Sequence, residues 1–164
     1  MAATPWLDDA EMEAWRAYVE TFVDLGAALE ADLAVHDLTM GDYQVLVYLS
    51  GADDRSMRMC DLATRLQLSP SGLTRRLDGL VRGGFVERRT SSEDRRVMLA
   101  VLTDDGMAKL ERAAPTHVRS VRDRFIDLVE RRDLAAVARS FRAVRDGLDA
   151  ERRTDQPGRS RVAS

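Results

Sequence analysis

The chain has 164 residues, of which 45% are hydrophobic and 32% charged, and its formal net charge is −3. This composition suits one soluble, helix-rich domain with an ordinary core, and it excludes a membrane span, because no apolar run approaches the roughly 20 residues that a bilayer requires. We expect a cytoplasmic protein, since the N-terminus lacks the pattern of a secretion signal and a single cysteine cannot form an internal disulfide.

The net charge conceals an uneven distribution along the chain. Residues 1–54 carry one arginine against twelve acidic residues, whereas residues 55–96 carry ten arginines against five acidic residues. Residues 97–164 carry fourteen basic and eleven acidic residues. The basic middle segment is suited to a polyanion such as nucleic acid, although a merely patchy surface would give the same pattern.

The first predicted helix begins after Asp8, which forms a capping-box pattern with Glu11. Its core positions recur at alternating intervals of three and four residues, which is typical of a helix packed against other helices over many turns. These positions are Met12, Trp15, Val19, Phe22, Gly26, Leu29 and Leu33. Because a second apolar side accompanies this stripe, we expect a partner chain to cover part of it.

A second helix is predicted from the Thr39 cap to Leu49, and a polar loop over residues 52–56 follows it. Two short helices come next, over residues 59–66 and 69–83, with only Gln67 and Leu68 between them. The second of these has Ser69 as its N-cap, Pro70 at its first position and Gly83-Gly84 at its end. Its inner face is apolar at Leu73, Leu77 and Leu80. The pair has the pattern of a helix-turn-helix, whose second helix can enter the major groove of DNA.

Two strands, over residues 85–89 and 97–102, flank a charged loop and predict a β-hairpin. Helix, turn, helix and charged hairpin together predict a winged helix-turn-helix. Thr103 then caps a helix that is expected to reach Leu128 and to bend at Pro115.

A final helix is predicted after Asp133. Its apolar positions are Leu134, Val137, Phe141, Val144 and Leu148, again at intervals of three and four. The first and last helices thus offer apolar stripes that predict an interface. Residues 150–164 contain almost nothing apolar, and we expect them to be disordered.

One ordered set of residues runs through the predicted winged helix-turn-helix. It comprises Leu62-Ala63, Ser69-Pro70-Ser71, Thr74-Arg75, Leu77-Asp78, Leu80-Val81, Gly84, Val86, Arg88, Asp94-Arg95-Arg96, Leu102-Thr103 and Gly106. This set resembles the MarR family of bacterial transcriptional regulators. The most specific part is the aspartate-x-arginine of the wing, followed by Leu-Thr-x-x-Gly. The resemblance extends more weakly upstream and covers roughly residues 10–148.

The resemblance implies a mainly α fold with a winged helix-turn-helix at residues 38–103. Residues 8–36 and 104–149 would then interlock as the helical dimerisation region of a homodimer. Two-fold symmetry would present two winged helix-turn-helix domains, called the readers below, to a pseudopalindromic operator in double-stranded DNA, with half-sites roughly 10 bp apart. Repression is the activity that the resemblance favours.

The second helix of the helix-turn-helix, over residues 69–83, is the recognition helix. Its residues assigned to DNA are Ser69, Ser71, Gly72, Thr74, Arg75 and Arg76. Either arginine can present a bidentate fork to guanine while the other contacts phosphate, and a solvated helix face is the alternative for both. In the wing the assigned residues are Arg88, Asp94, Arg95 and Arg96. Arginines near the hairpin tip suit the minor groove, and Asp94 either orients an arginine or closes the turn. For Arg88 the alternative to a phosphate contact is an ordinary exposed sheet edge.

Members of the resembled family commonly release DNA when a small, often aromatic or phenolic effector binds between the dimer helices and the reader. The residues assigned to such a ligand are Trp15, Tyr18, Phe22, His36 and Tyr43. Core packing is the alternative for each of them.

Other function classes lack sequence support. No catalytic motif, phosphate-binding glycine loop or metal-spaced His/Cys set is present, so we expect neither an enzyme, a cofactor nor a metal site. Cys60 lies outside the first helix, where the family's peroxide sensors carry their cysteine, and we expect no redox role. The alternative function is a helical dimeric interaction module without sequence-specific DNA binding.

Overall fold

The computed structural model describes residues 4–155, which are mainly helical. The helices are α1 (Asp9–Ala34), α2 (Met40–Ser50), α3 (Met59–Arg65), α4 (Pro70–Arg82), α5 (Asp104–Val121) and α6 (Leu134–Asp155). The strands are β1 (Ser56–Arg58), β2 (Val86–Thr90) and β3 (Met98–Leu102). The chain divides into two units, one up to Val121 and the other from Arg122 onwards.

Side-chain caps define where the helices of the first unit begin. Asp8 and Glu11 form the predicted capping box of α1, in which each carboxylate accepts a bond of 2.9 Å from the other residue's backbone N–H. Ser69 caps α4, because its Oγ accepts from the N–H of Gly72 at 3.1 Å. Gly84 follows the end of α4 with a φ of 73°, the left-handed conformation that favours glycine. These predicted boundaries are confirmed.

The three strands form one antiparallel sheet in the order β1-β3-β2. In the hairpin, Val86 pairs with Leu102 and Thr90 pairs with Met98, as expected for the predicted wing. The first strand was not predicted, since the polar loop was expected to include Ser56, which instead pairs with Val101. A strand of three residues is too short to show a period-two pattern, so the sequence carries no signal for it.

Leucine side chains form most of the core of the first unit. The largest fully buried side chains are Leu33, Val45, Leu46, Leu49, Leu62, Leu73, Leu77 and Val86. Leu73, Leu77 and Leu80 of α4 are all buried, so the predicted inner face of the recognition helix is confirmed. Because these three side chains are fixed in the core, the opposite face of α4 is turned outwards.

Thr103 joins the end of the wing to the end of α4. Its hydroxyl donates to the carbonyl oxygen of Gly84 at 2.7 Å and accepts from the N–H of Gly106 at 3.0 Å. Gly106 is buried, and a Cβ atom there would collide with the backbone carbonyl of Phe85. The Leu-Thr-x-x-Gly segment therefore needs its threonine for the bonds and its glycine for the close approach.

The second unit differs from the sequence prediction at both of its ends. A π-helical turn, Arg122–Ile126, replaces the expected continuation of the α-helix to Leu128. The last helix begins at Leu134 as predicted, but it extends to Asp155, so the disorder predicted for residues 150–155 is wrong. Residues 150–152 are Ala, Glu and Arg, which favour helices. Residues 156–164 lie outside the described residues, and the predicted bend at Pro115, inside α5, stays a prediction.

Replacing Gly106 with alanine should lower the free energy of unfolding by roughly 1–3 kcal/mol, because the added methyl group meets rigid backbone. Urea unfolding at a fixed protein concentration measures the change. Gly79→Ala, in α4, is the matched control, since no atom of the described residues lies within 4 Å of its added Cβ. The control should gain roughly 0.5–1 kcal/mol as a helix-interior glycine replaced by alanine. Equal stabilities of the two variants would contradict this account of Gly106.

Candidate nucleic-acid interface

The outward face of α4 carries small polar side chains and two arginines, Arg75 and Arg82, that make no hydrogen bond or ion pair within residues 4–155. Ser71, Thr74 and Arg75 are exposed. The hydroxyls of Ser69 and Ser71 lie 3.2 Å apart, and the hydroxyl of Thr74 donates to the carbonyl of Pro70 at 3.0 Å. Within residues 4–155, no hydrogen bond or ion pair holds the Arg75 side chain. Its guanidinium is therefore available to an external acceptor.

The neighbouring arginine, Arg76, is turned towards α2 instead. Its Nη1 donates to the hydroxyl of Thr39 at 3.1 Å and lies 4.0 Å from a carboxylate oxygen of Asp42. Its guanidinium lies directly above Gly41, and the side chain is 36% exposed. The sequence left open which of the two arginines reads a base. The two side chains differ in their contacts: the Arg76 guanidinium is bonded to α2, whereas that of Arg75 makes no hydrogen bond or ion pair within residues 4–155.

Arg88 of β2 contacts the recognition helix. Its Nη2 donates to the backbone carbonyl of Thr74 at 2.8 Å and to the carboxylate of Asp78 at 2.7 Å. The side chain is 29% exposed. This contact, which no local sequence pattern predicts, joins the first strand of the wing to the middle of α4. The assignment of Arg88 to DNA stays a prediction.

The wing tip is closed by Asp94. Its carboxylate accepts from the backbone N–H of Arg96 at 2.9 Å, and its own carbonyl accepts from Val97 at 2.9 Å. Of the two roles left open for Asp94, the structure supports closing the turn. Arg95 and Arg96 are exposed on this tip, and within the described part of the chain their guanidinium groups have no partner.

An open cleft of about 460 Å³ runs beside α4 at the start of α2. It is lined by Asp42, Leu68, Gly72, Arg75, Arg76, Gly79 and Arg82. Three arginines against one aspartate give the cleft an excess of positive charge, and the two glycines of α4 leave its floor open. Because Arg76 is bonded to α2, the charge that the cleft can offer to a polyanion is that of Arg75 and Arg82.

The residues assigned to an effector fall into two groups. Trp15, Tyr18 and Phe22 lie in a row on α1 with ring centroids 5.8 and 5.5 Å apart, and they are 55%, 41% and 63% exposed. Within the first unit they are therefore not core residues. Tyr43 is buried, and its burial raises the pKa of its hydroxyl. The first group exposes its ring faces on α1. The second group, His36 and Tyr43, places polar atoms in a packed junction between the end of α1, α2 and α5.

That junction includes two residues of α5 that the sequence analysis did not assign. The Nε2 atom of His36 shares a hydrogen bond of 2.8 Å with the hydroxyl of Thr116, and the ring of His117 lies 4.5 Å from that of Tyr43. The Nδ1 atom of His117 is buried and has no hydrogen-bond partner among the described residues. Apart from the presence of two histidines, no sequence pattern indicates this cluster.

The described residues also bear on metal-ligand clusters, on the environment of the cysteine and on membrane-spanning helices. No three His, Cys, Asp or Glu residues within residues 4–155 are grouped so that they could hold a metal ion. Cys60 is exposed, and its thiol lies 3.5 Å from the carboxylate of Asp61. No helix in the described part of the chain is both long enough and apolar enough to cross a bilayer.

Removing the Arg88 side chain should destabilise the first unit, because the bonds from β2 to α4 are lost. We expect Arg88→Ala to lower the free energy of unfolding by roughly 1–2 kcal/mol. Arg89→Ala is the control, since Arg89 lies on the same strand and, within residues 4–155, bonds only to the exposed Glu87. That variant should change stability by less than about 0.5 kcal/mol. Chemical unfolding compares the two, and equal losses would contradict a specific contact from Arg88.

The junction should also make stability depend on pH. Burial lowers the pKa of His117 below its ordinary 6.5, so the unfolded chain takes up a proton first as the pH falls. The stability contributed by neutral His117 is complete above about pH 6.5 and is lost as the pH falls from 6.5 through the lowered pKa. His117→Phe keeps a ring against Tyr43 and should flatten the unfolding free energy over this range. Parallel pH curves for the wild type and the variant would contradict the assignment.

Comparison with known proteins is consistent with this geometry. A model of the MarR family matches residues 36–97. A transcriptional repressor from Bacillus subtilis (strain 168), YetL, is 30% identical over 115 residues, which are 70% of this chain and 69% of the relative. The crystal structure of AbsC, a MarR family transcriptional regulator from Streptomyces coelicolor, has 39% identity and a TM-score of 0.86. That match covers 90% of this chain and 99% of AbsC.

A second solved structure includes DNA. Sco3205, a MarR family transcriptional regulator from Streptomyces coelicolor, was crystallised in complex with DNA. It is 31% identical with a TM-score of 0.84, and the match covers 89% of this chain and 92% of Sco3205. Together with the winged helix-turn-helix described above, these similarities show that the chain belongs to the MarR family of transcriptional regulators.

Proposed function

We propose that this regulator is a homodimeric repressor that binds a pseudopalindromic operator and is released by a small aromatic ligand. The observation that carries the proposal is the unengaged Arg75 on the outward face of a helix whose inner face is fixed in the core. The similarity to YetL, named a repressor, and to Sco3205, crystallised with DNA, supports the same conclusion.

In this proposal α4 lies in the major groove and Arg75 reads a base. An arginine makes its most selective contact through two parallel bonds to guanine O6 and N7, which requires a guanidinium not committed elsewhere. Ser71 and Thr74 are short, so they allow the helix to approach the base edges. Ser69 lies at the N-terminus of α4, where the backbone N–H groups favour a phosphate.

The wing contributes a second contact in the adjacent minor groove. Arg95 and Arg96 project from a tip whose backbone is held by the Asp94 turn, so that little order needs to be gained on binding. The narrow groove of A·T-rich DNA has a strong negative potential that attracts such arginines. Arg88 then supports both contacts indirectly, by bonding β2 of the wing to α4.

Dimerisation is proposed from the apolar side chains that each unit leaves exposed. In the first unit one group of these lies on α1 and comprises Trp15, Tyr18, Val19, Phe22 and Val23. In the second unit they lie on α6 and include Phe141, Val144 and Leu148. Patches of this kind mark protein interfaces, and a two-fold axis would pair the same patch on both copies. Residues 8–36 and 104–149 would form the dimerisation region, and residues 38–103 the reader.

The proposed ligand acts by binding one state of the dimer more tightly than the other. Trp15, Tyr18 and Phe22 offer ring faces, and His36 and Tyr43 offer polar atoms that suit a phenol or an aromatic carboxylate. A ligand at these residues would lower DNA affinity only if it favours a spacing of the readers that the operator does not accept.

The proposal is tested by selecting duplexes from a random-sequence library with the purified protein and measuring affinity by fluorescence anisotropy over a series of salt concentrations. We expect a preferred duplex with two half-sites, steep salt dependence and a dimer by light scattering. A dimer with no preferred duplex would favour the alternative, a helical interaction module without sequence-specific DNA binding. Release is tested by adding phenolic acids to the preformed complex.

Replacing Arg75 with alanine should reduce affinity for the selected duplex by roughly 1–3 kcal/mol, while affinity for a scrambled duplex of equal composition changes less. The matched control is Arg112→Ala, which removes one exposed arginine of α5 and the same net charge. The control should affect both duplexes alike and only slightly. Equal losses on the selected and scrambled duplexes for Arg75→Ala would reassign Arg75 to the phosphate backbone.

A further inference from the structure

The bond between Arg76 and α2 ends on the capping box of that helix. The hydroxyl of Thr39 accepts from the N–H of Asp42 at 3.1 Å and donates to its carboxylate at 2.6 Å. Arg76 adds a third bond to the same hydroxyl at 3.1 Å. A hydroxyl has one donor and two acceptor sites, so Arg76 completes the bonding of Thr39.

Gly41 provides the space in which the Arg76 guanidinium lies. A Cβ at residue 41 would be 2.6 Å from Nη1 and 2.8 Å from Nε of Arg76, and even nearer to the central carbon. Any side chain at this position would therefore displace the guanidinium. The colliding atoms are the far end of a flexible side chain, so the helix itself can remain folded.

The same end of α2 is also held by α1. The carboxylate of Glu30 accepts from the backbone N–H of Met40 at 2.6 Å. The first turn of α2 is thus bonded to α1 on one side and to the recognition helix on the other. It gives Arg76 a fixed anchor instead of a mobile loop.

Helix geometry explains why an anchored Arg76 matters for Arg75. Successive residues on a helix point about 100° apart, so two adjacent arginines cannot both point to the floor of one groove. The three leucines hold the inner face of α4, but they are apolar contacts without directional bonds. A bond from Arg76 to α2 adds a directional restraint on the rotation of the outer face.

We propose that Arg76 is a positioning residue, which holds α4 at the rotation that directs Arg75 to a base edge. This inference rests on the proposed function of the recognition helix. It assigns to Thr39, Gly41 and Asp42 the role of a receptor for the Arg76 guanidinium, and it separates the two adjacent arginines by their tasks.

The test uses Gly41→Ala, which leaves every residue assigned to DNA unchanged in type and displaces the Arg76 guanidinium from α2. Arg76→Ala is the second variant, and Val47→Ala is the control for a side-chain change on α2, because Val47 is exposed and takes no part in the Arg76 contact. Each is measured on the duplex selected by the wild type and on a scrambled duplex, over a series of salt concentrations. Hydrogen exchange of the first-turn amides of α2 is recorded without DNA.

We expect both Gly41→Ala and Arg76→Ala to lose preference for the selected duplex, on the order of tenfold, because Arg75 is misdirected. The slope of log affinity against log salt should stay at the wild-type value, because no phosphate contact is removed. In Arg76→Ala the amide of Asp42 should exchange faster. Val47→Ala should match the wild type in all three measurements.

Two results would overturn the inference. A salt slope that falls by about one unit in Arg76→Ala would make Arg76 a phosphate contact. Unchanged or increased preference in Gly41→Ala would show that the bond to α2 is irrelevant to reading. If the wild type enriches no duplex from the library, the proposed function fails instead, and the positioning role fails with it, while hydrogen exchange still reports the Arg76 bond.

Discussion

The rotation of α4 about its own axis determines which of its side chains can meet a ligand. Three buried leucines at intervals of four and three limit that rotation, since each must stay inside the core, and the bond from Arg76 to α2 adds a directional restraint. Ser71, Thr74 and Arg75 are outward for this reason. The Ser69 cap then holds the N-terminal end of α4, and the bond from Thr103 to Gly84 holds its C-terminal end against the wing.

Positive charge in the sequence and positive charge available to a ligand are different quantities in this protein. Residues 55–96 contain ten arginines, and their excess over acidic residues pointed to a polyanion. In the folded chain Arg76 and Arg88 are bonded to other parts of the same unit. The arginines of the candidate interface whose guanidinium groups remain uncommitted among the described residues are Arg75, Arg82, Arg95 and Arg96. Structure thus divides one charged segment into framework and contact residues.

Local chemistry made most of the fold predictable. A serine followed by proline, a glycine pair and a leucine period each specify a helix boundary or face within a few residues, and α4 follows them. Strand β1 has only three residues, which is too short to show a sequence pattern. The predicted end of α6 was too early because the helix-forming residues from 150 onwards precede a segment that contains Pro and Gly, and the two were judged together. The Arg76 and Arg88 contacts join residues 37 and 14 positions apart, which no local pattern encodes.

The bond from Arg88 has a consequence for how such a regulator can change its target. Its acceptor on Thr74 is the main-chain oxygen, which every amino acid possesses. Residue 74 can therefore be exchanged for another type without loosening the wing from the helix. Divergence after gene duplication, or a designer wishing to retarget the protein, can vary this position while the scaffold beneath it stays intact.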